Sequence, residues 1–226
     1  MQRGRFQLTA VPLSIVDNPA QVAYLRKVLG YLLIGLLVAA AGTQVGMMPP
    51  VLALVAGHPF IGMFGMIGLI MWATTASTGP RAGTAYYVFT FAMGLLMAPI
   101  IFVTLSRFNG LQTLAMAGGI TVVNTLALSA YAWISKRDFS FMGGFLITGL
   151  ITMIVAQLLN AFWLHSPLLE SVVPMILILL FNGFILYDLS RILNNARSIP
   201  PTAAALMLFL DIFNLFLAWL RVLDRD

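Results

Sequence analysis

The chain contains no cysteine and little charge. Without cysteine there is no disulfide framework, no thiolate nucleophile and no cysteine-ligated metal. Only 8% of the 226 residues are charged, against about 25% in a typical soluble protein, and 61% are apolar, which excludes an ordinary soluble domain. The chain has two histidines, His58 and His165, 107 residues apart, and it lacks the H-E-x-x-H, G-x-S-x-G and P-loop patterns. An enzyme is therefore not expected. The net charge of +5 comes from basic residues scattered singly between apolar runs, which form no stripe for nucleic acid.

What the chain does have is apolar segments of membrane-spanning length. Val28 to Pro80 contains no charge over 53 residues, room for two spans of about 20 residues and a turn. Arg81 to Arg107, Arg107 to Lys136 and Asp138 to Glu170 enclose 25, 28 and 31 uncharged residues, one span each. Two further apolar runs follow, each interrupted by one aspartate. The segmentation predicts an all-α polytopic membrane protein with spans at 28–47, 52–75, 84–105, 111–134, 142–164, 171–193 and 202–222. Residues 1–27 read as a cytoplasmic N-terminal tail and the start of the first helix, 28–222 as the seven-helix transmembrane domain, and 223–226 as a C-terminal tail. Asn18-Pro19-Ala20-Gln21 offers a capping box for the first helix. Arg26-Lys27 and the Ala39-Ala40-Ala41-Gly42 run resemble a signal peptide, but the 27-residue preamble and the apolar chain beyond favour a first span.

Alternating sides collect nine Lys and Arg (Arg3, Arg5, Arg26, Lys27, Arg81, Lys136, Arg137, Arg191, Arg197) against three (Arg107, Arg221, Arg225), which puts the N-terminus inside. A seventh segment that re-entered would improve the count to eleven against one, so the side of the C-terminus stays open. Trp133, Trp163 and Tyr86-Tyr87 fit interfacial anchors. Gly62, Gly65, Gly68, Gly118, Gly119, Gly143, Gly144 and Gly149 point to close helix approach. The 13 methionines lack paired soft-metal ligands and read as packing or lipid-facing groups. Pro99 and Pro174 are expected to bend their spans.

An intramembrane aspartate costs roughly 2.5 to 3.5 kcal/mol on insertion scales, so Asp188 and Asp211 need a reason. Counted from a turn at Asn194 to Pro201, they lie roughly 9 Å and 15 Å deep on an antiparallel hairpin. Two carboxylates meeting in a low-dielectric interior cannot easily both ionise. Such a pair would share a proton near neutral pH and offer oxygen ligands to a hard cation such as Ca²⁺. Alternatively Asp188 pairs with Arg191 one turn on, while Asp211 bonds a neighbouring helix. Asn182 and Asn214 are polar lining or helix-helix contacts. An intramembrane aspartyl protease also uses two aspartates, and Tyr187-Asp188 fits half of its pattern, but Leu210-Asp211 lacks the preceding glycine.

Gly94-Leu95-Leu96-Met97-Ala98-Pro99-Ile100, Gly183-Phe184-Ile185-Leu186-Tyr187-Asp188 and Ala205 to Phe216 resemble motifs of the Bax inhibitor-1 (transmembrane Bax inhibitor motif) family, bacterial branch. The resemblance runs from about residue 20 onwards. It implies six helices around a central seventh and a pH-sensitive calcium leak, with no cofactor and with Ca²⁺ as the transported or bound ion. Asp188 and Asp211 match the family's pH-sensing pair, and Arg81 or Arg191 its arginine latch. The bacterial branch implies the inner membrane as location and a membrane-bound AAA protease as a partner, so protease regulation is the alternative role. An H⁺/Ca²⁺ exchanger is a third.

Overall fold

A computed structural model describes residues 19–135, 137–194 and 198–224, without the side chains of 59–64. Arg3, Arg5, Asn18, Lys136, Arg197 and Arg225 lie outside the described residues, as does the side-chain environment at Gly62. The described chain is all helical: α1 (Pro19–Gly46), α2 (Pro49–Gly57), α3 (Pro59–Ala76), α4 (Ala82–Leu105), α5 (Gly110–Ser135), α6 (Gly143–Leu159), α7 (Pro167–Asn194) and α8 (Pro201–Leu223). A short 3₁₀ turn, Ser140–Met142, precedes α6, and a π-helical turn, Asn160–Leu164, extends it. Six of these segments are long and apolar enough to cross a membrane.

Most predicted spans reappear with ends shifted by a few residues. The exception is 52–75, which is two helices. Pro59 supplies no N–H and disfavours a helical conformation at the residue before it. His58 accordingly sits at φ −130°, ψ 66°, closing α2 and opening α3. Pro99 and Pro174, by contrast, lie within continuous α4 and α7. The π turn ends at His165, whose φ of 46° reverses the chain before Ser166-Pro167 starts α7.

Helix α8 is the axis of the bundle and packs against α1, α4, α5 and α7. In its most apolar window 67% of residues are buried, whereas no other spanning helix exceeds 44%. Two apolar clusters meet on it. One joins Val28, Phe89 and Met93 to Phe209 and Phe213, and the other joins Leu146, Leu177 and Phe181 to Leu215 and Ala218. The outward faces of α1, α5 and α6 leave Leu37, Val123, Leu126, Phe145 and Ile151 exposed, as lipid-facing positions should be.

Helix α8 also traverses the full bundle and does not re-enter. Near its start Thr202 Oγ1 donates to the Ser77 carbonyl at 2.8 Å. Beyond its far end, Asp224 pairs with Arg107 after α4, N to O 3.3 Å. One end of the bundle thus carries Arg26, Lys27, Arg81, Arg137 and Arg191, here termed the basic end; the opposite end carries Arg107 and Arg221.

Two further expectations change. Tyr86 is not an interfacial anchor: it is 2% exposed, packed edge-on to Tyr31 and Phe209. The close helix approach runs through other glycines. A side chain at Gly65, Gly68, Gly118, Gly119 or Gly144 would meet nothing within 4 Å, whereas one at Gly35, Gly42, Gly46 or Gly94 would collide across the α1–α4 contact. Gly143 and Gly149 do face α7, against Tyr187 and Leu180.

Candidate functional site

The antiparallel α7–α8 hairpin brings the two aspartates together. Asp188 and Asp211 are 7% and 6% exposed, and their carboxyl groups are close enough for each to act on the other's ionisation. Oδ2 of Asp211 is buried with no hydrogen-bond partner among the described residues. Two carboxyl groups so placed need a shared proton or a cation between them.

The cation beside them is Arg191, whose Nη1 lies 3.7 Å from Oδ1 of Asp188. Its guanidinium also sits over the Tyr187 ring, 5.3 Å from the centroid. Both sequence alternatives for Asp188 therefore coexist: it meets Arg191 and Asp211 together. Arg81 is exposed and pairs with neither aspartate among the described residues. Among the described residues the helices α1, α4 and α5 bring no further charge to the pair. Helices α4 and α5 contain no charged residue, and α1 carries only Arg26 and Lys27, both exposed. The tyrosines of these helices (Tyr24 and Tyr31, Tyr86 and Tyr87, Tyr131) make no hydrogen bond to either carboxyl group among those described. Nor do three His, Asp or Glu side chains cluster anywhere among the described residues, so a bound cation would need backbone, amide or water oxygens besides the aspartates.

Asn182 joins two helices, whereas Asn214 bonds within its own. Asn124 Nδ2 on α5 donates to Asn182 Oδ1 at 2.9 Å, and Asn214 Nδ2 donates to the Leu210 carbonyl at 2.7 Å. The sequence reading missed Ser190. Buried two residues after Asp188, its hydroxyl accepts the Phe139 N–H at 3.0 Å, and with Asp138 it fixes the α5–α6 connection onto α7. A small hydroxyl next to the key aspartate was the only available signal.

Asp138 in that connection accepts the Ser140 N–H at 2.9 Å, which holds its carboxyl below the usual carboxylate range. The folded value is the lower one, so this loop contact is present at neutral pH and is lost only as pH falls below the usual carboxylate range. Ser190→Ala should accordingly speed hydrogen exchange at Phe139 at neutral pH. Asp138→Asn should speed it at Ser140 and remove that amide's acid dependence. Protection unchanged in both variants would remove the clamp.

At the opposite end a cavity of about 550 Å³ is lined by Arg107, Asn160, Glu170, Arg221 and Asp224, among others. Arg221 lies ten residues beyond Asp211, roughly 15 Å along α8. Between them Leu215 and Ala218 are buried against Leu177, Ile178 and Phe181 of α7. This apolar layer separates the cavity from the carboxyl pair.

Fold and site define a multi-pass integral membrane protein built around an intramembrane carboxyl pair. The sequence profile of a family described as "Inhibitor of apoptosis-promoting Bax1" matches residues 21–226, so the chain belongs to the Bax inhibitor-1 family. It is similar to an "Uncharacterized membrane protein" of Vibrio cholerae, 34% identical over 187 residues, covering 82% of this chain and 80% of that one. It is also similar to "Modulator of FtsH protease YccA" of Escherichia coli K12, 29% identical over 161 residues, covering 71% and 72%. The same-named protein of a second Escherichia coli strain is described as an inner membrane protein. A "BI1-like protein" of Arabidopsis thaliana is 30% identical over 240 residues, covering all of this chain and 90% of the relative.

Proposed function

We propose that this chain is a non-enzymatic, pH-sensitive calcium leak channel of the bacterial inner membrane, closed in the conformation described. The observation that carries the reading is the buried Asp188–Asp211 contact, with an unpartnered Oδ2 on one side and Arg191 on the other. Seven spans are counted by taking α2 and α3 together as the second, with α8 central and packed against α1, α4, α5 and α7. With the basic end cytoplasmic, the C-terminus lies outside.

In this reading a proton shared by the pair and the Arg191 contact hold α7 against α8. Loss of the proton leaves two adjacent carboxylates in a low-dielectric site, where they repel. The hairpin then separates, and the freed oxygens are suited to a hard cation in transit. Arg191 acts as the latch, because it alone of the two candidate arginines meets the pair. In liposomes, wild-type Ca²⁺ flux should rise as pH is stepped upward through neutrality, and Asp188→Asn and Asp211→Asn should each flatten that response. An unchanged pH response in both variants sinks the sensor role.

The second reading, restraint of a membrane-bound AAA protease, is favoured by the description of the Escherichia coli relative. Deletion of residues 1–20 should then release such a protease without changing flux, and undiminished co-purification would take the tail out of that reading.

A further inference from the structure

We infer that a cleft between α1 and α4 at the basic end binds the headgroup of an anionic phospholipid. The cleft is a shallow, open depression of about 500 Å³ lined by Lys27, Gly30, Tyr31, Ile34, Thr84 and Tyr87, among others. Lys27 is eight residues into α1, and the 20 residues from Lys27 to Gly46 match the roughly 30 Å hydrocarbon core. Its ammonium therefore sits at the membrane-water boundary. Among the described residues no acid answers it: α1 and α4 contain none, and Lys27 forms no ion pair.

One turn deeper, Tyr31 and Tyr87 stand with ring centroids 5.9 Å apart, and neither is fully buried. Amphipathic rings at headgroup level suit an ester-linked glycerol better than a free ion. Gly30 keeps the floor open, since a side chain there would meet nothing within 4 Å. The deep end continues into exposed Ile34 and Leu37, a track for an acyl chain. These features together commit the site to a lipid: a cation for the phosphate, rings for the backbone and an aliphatic face for the tail. Basic pockets between helices at a membrane surface take anionic headgroups on the same physical grounds.

The test is native mass spectrometry of the full chain, extracted gently from vesicles of equal phosphatidylglycerol and phosphatidylcholine. Wild type should retain phosphatidylglycerol preferentially. Lys27→Gln should reduce that retention about fivefold, the worth of one lysine at an anionic surface. Gly30→Leu, whose Cβ would meet nothing within 4 Å and whose side chain would occupy the cleft's wall, should reduce it at least as much, while Arg107→Gln at the opposite end should leave it unchanged. Equal retention of both lipids, retention unaltered in both cleft variants, or displacement of the lipid by millimolar inorganic phosphate would each overturn the assignment. Calcium flux is not part of the readout, so the site stands or fails independently of the channel reading.

Discussion

If the chain is the calcium leak proposed above, a Leu215→Asn variant should leak calcium at a pH where the wild-type protein is closed, by on the order of tenfold or more. Leu215 has no exposed surface and lies four residues beyond Asp211 and six before Arg221. It therefore belongs to the apolar layer that separates the carboxyl pair from the cavity at the opposite end. Such a layer blocks ions by excluding water. Asparagine at this position removes apolar burial of about 1.5 to 3 kcal/mol. It also adds an amide that costs roughly 1 to 3 kcal/mol unless water joins it. Both effects favour hydration of the layer, and each 1.4 kcal/mol is a factor of about ten in an equilibrium. Leu215→Met, which keeps the volume and stays apolar, should remain closed. The measurement is Ca²⁺ efflux from liposomes at a pH that keeps wild type silent. A folded Leu215→Asn protein as tight as wild type would remove the barrier from this layer.

Charge sparsity made the outline legible. Because acidic and basic residues occur almost only between apolar runs, six spanning segments could be placed to within a few residues. The same sparsity isolated Asp188 and Asp211, and antiparallel depth counting put them at similar levels. The break at His58-Pro59 was hidden because the apolar run continues unbroken across it, and because prolines such as Pro99 sit inside intact membrane helices. The packing glycines are hidden for a related reason. In a membrane helix both the lipid face and the packed face are apolar, so no polar stripe marks which side is buried. Gly118-Gly119 therefore looks like a packing site and faces open space. Span-end position does not reveal rotation about the helix axis, so Tyr86 reads as an anchor in the sequence and is buried in the fold. The opposite-end cavity draws residues from α6, α7, α8 and the α4–α5 turn, and only tertiary packing assembles them.

The largest loss of stability is expected from Gly94→Leu, because the α1–α4 contact has no room for it. Gly35, Ala39, Gly42 and Gly46, spaced by four, three and four residues, share one face of α1. They let α4 approach until backbone meets backbone: a side chain at Gly94 would run into the Ala39 carbonyl, and one at Gly42 into the Phe91 carbonyl. Thr43 fastens the same contact, its Oγ1 donating to the carbonyls of Ala39 and Gly94 at 3.0 Å each. Without a hydrophobic drive between helices in lipid, such close packing is a principal force of association. Backbone cannot move aside as a side-chain tip can, so the cost should reach about 3 kcal/mol or more, the upper end for over-packing. That is a large fraction of the roughly 5 to 15 kcal/mol that holds a typical domain folded. Gly119→Leu is the matched comparison. Gly119 is exposed and open around its missing Cβ, so leucine there should be neutral or stabilise the helix by up to about 1 kcal/mol. Thermal unfolding in detergent should separate the two variants by many degrees. Equal midpoints for Gly94→Leu and Gly119→Leu would mean that α1 and α4 do not pack through these glycines.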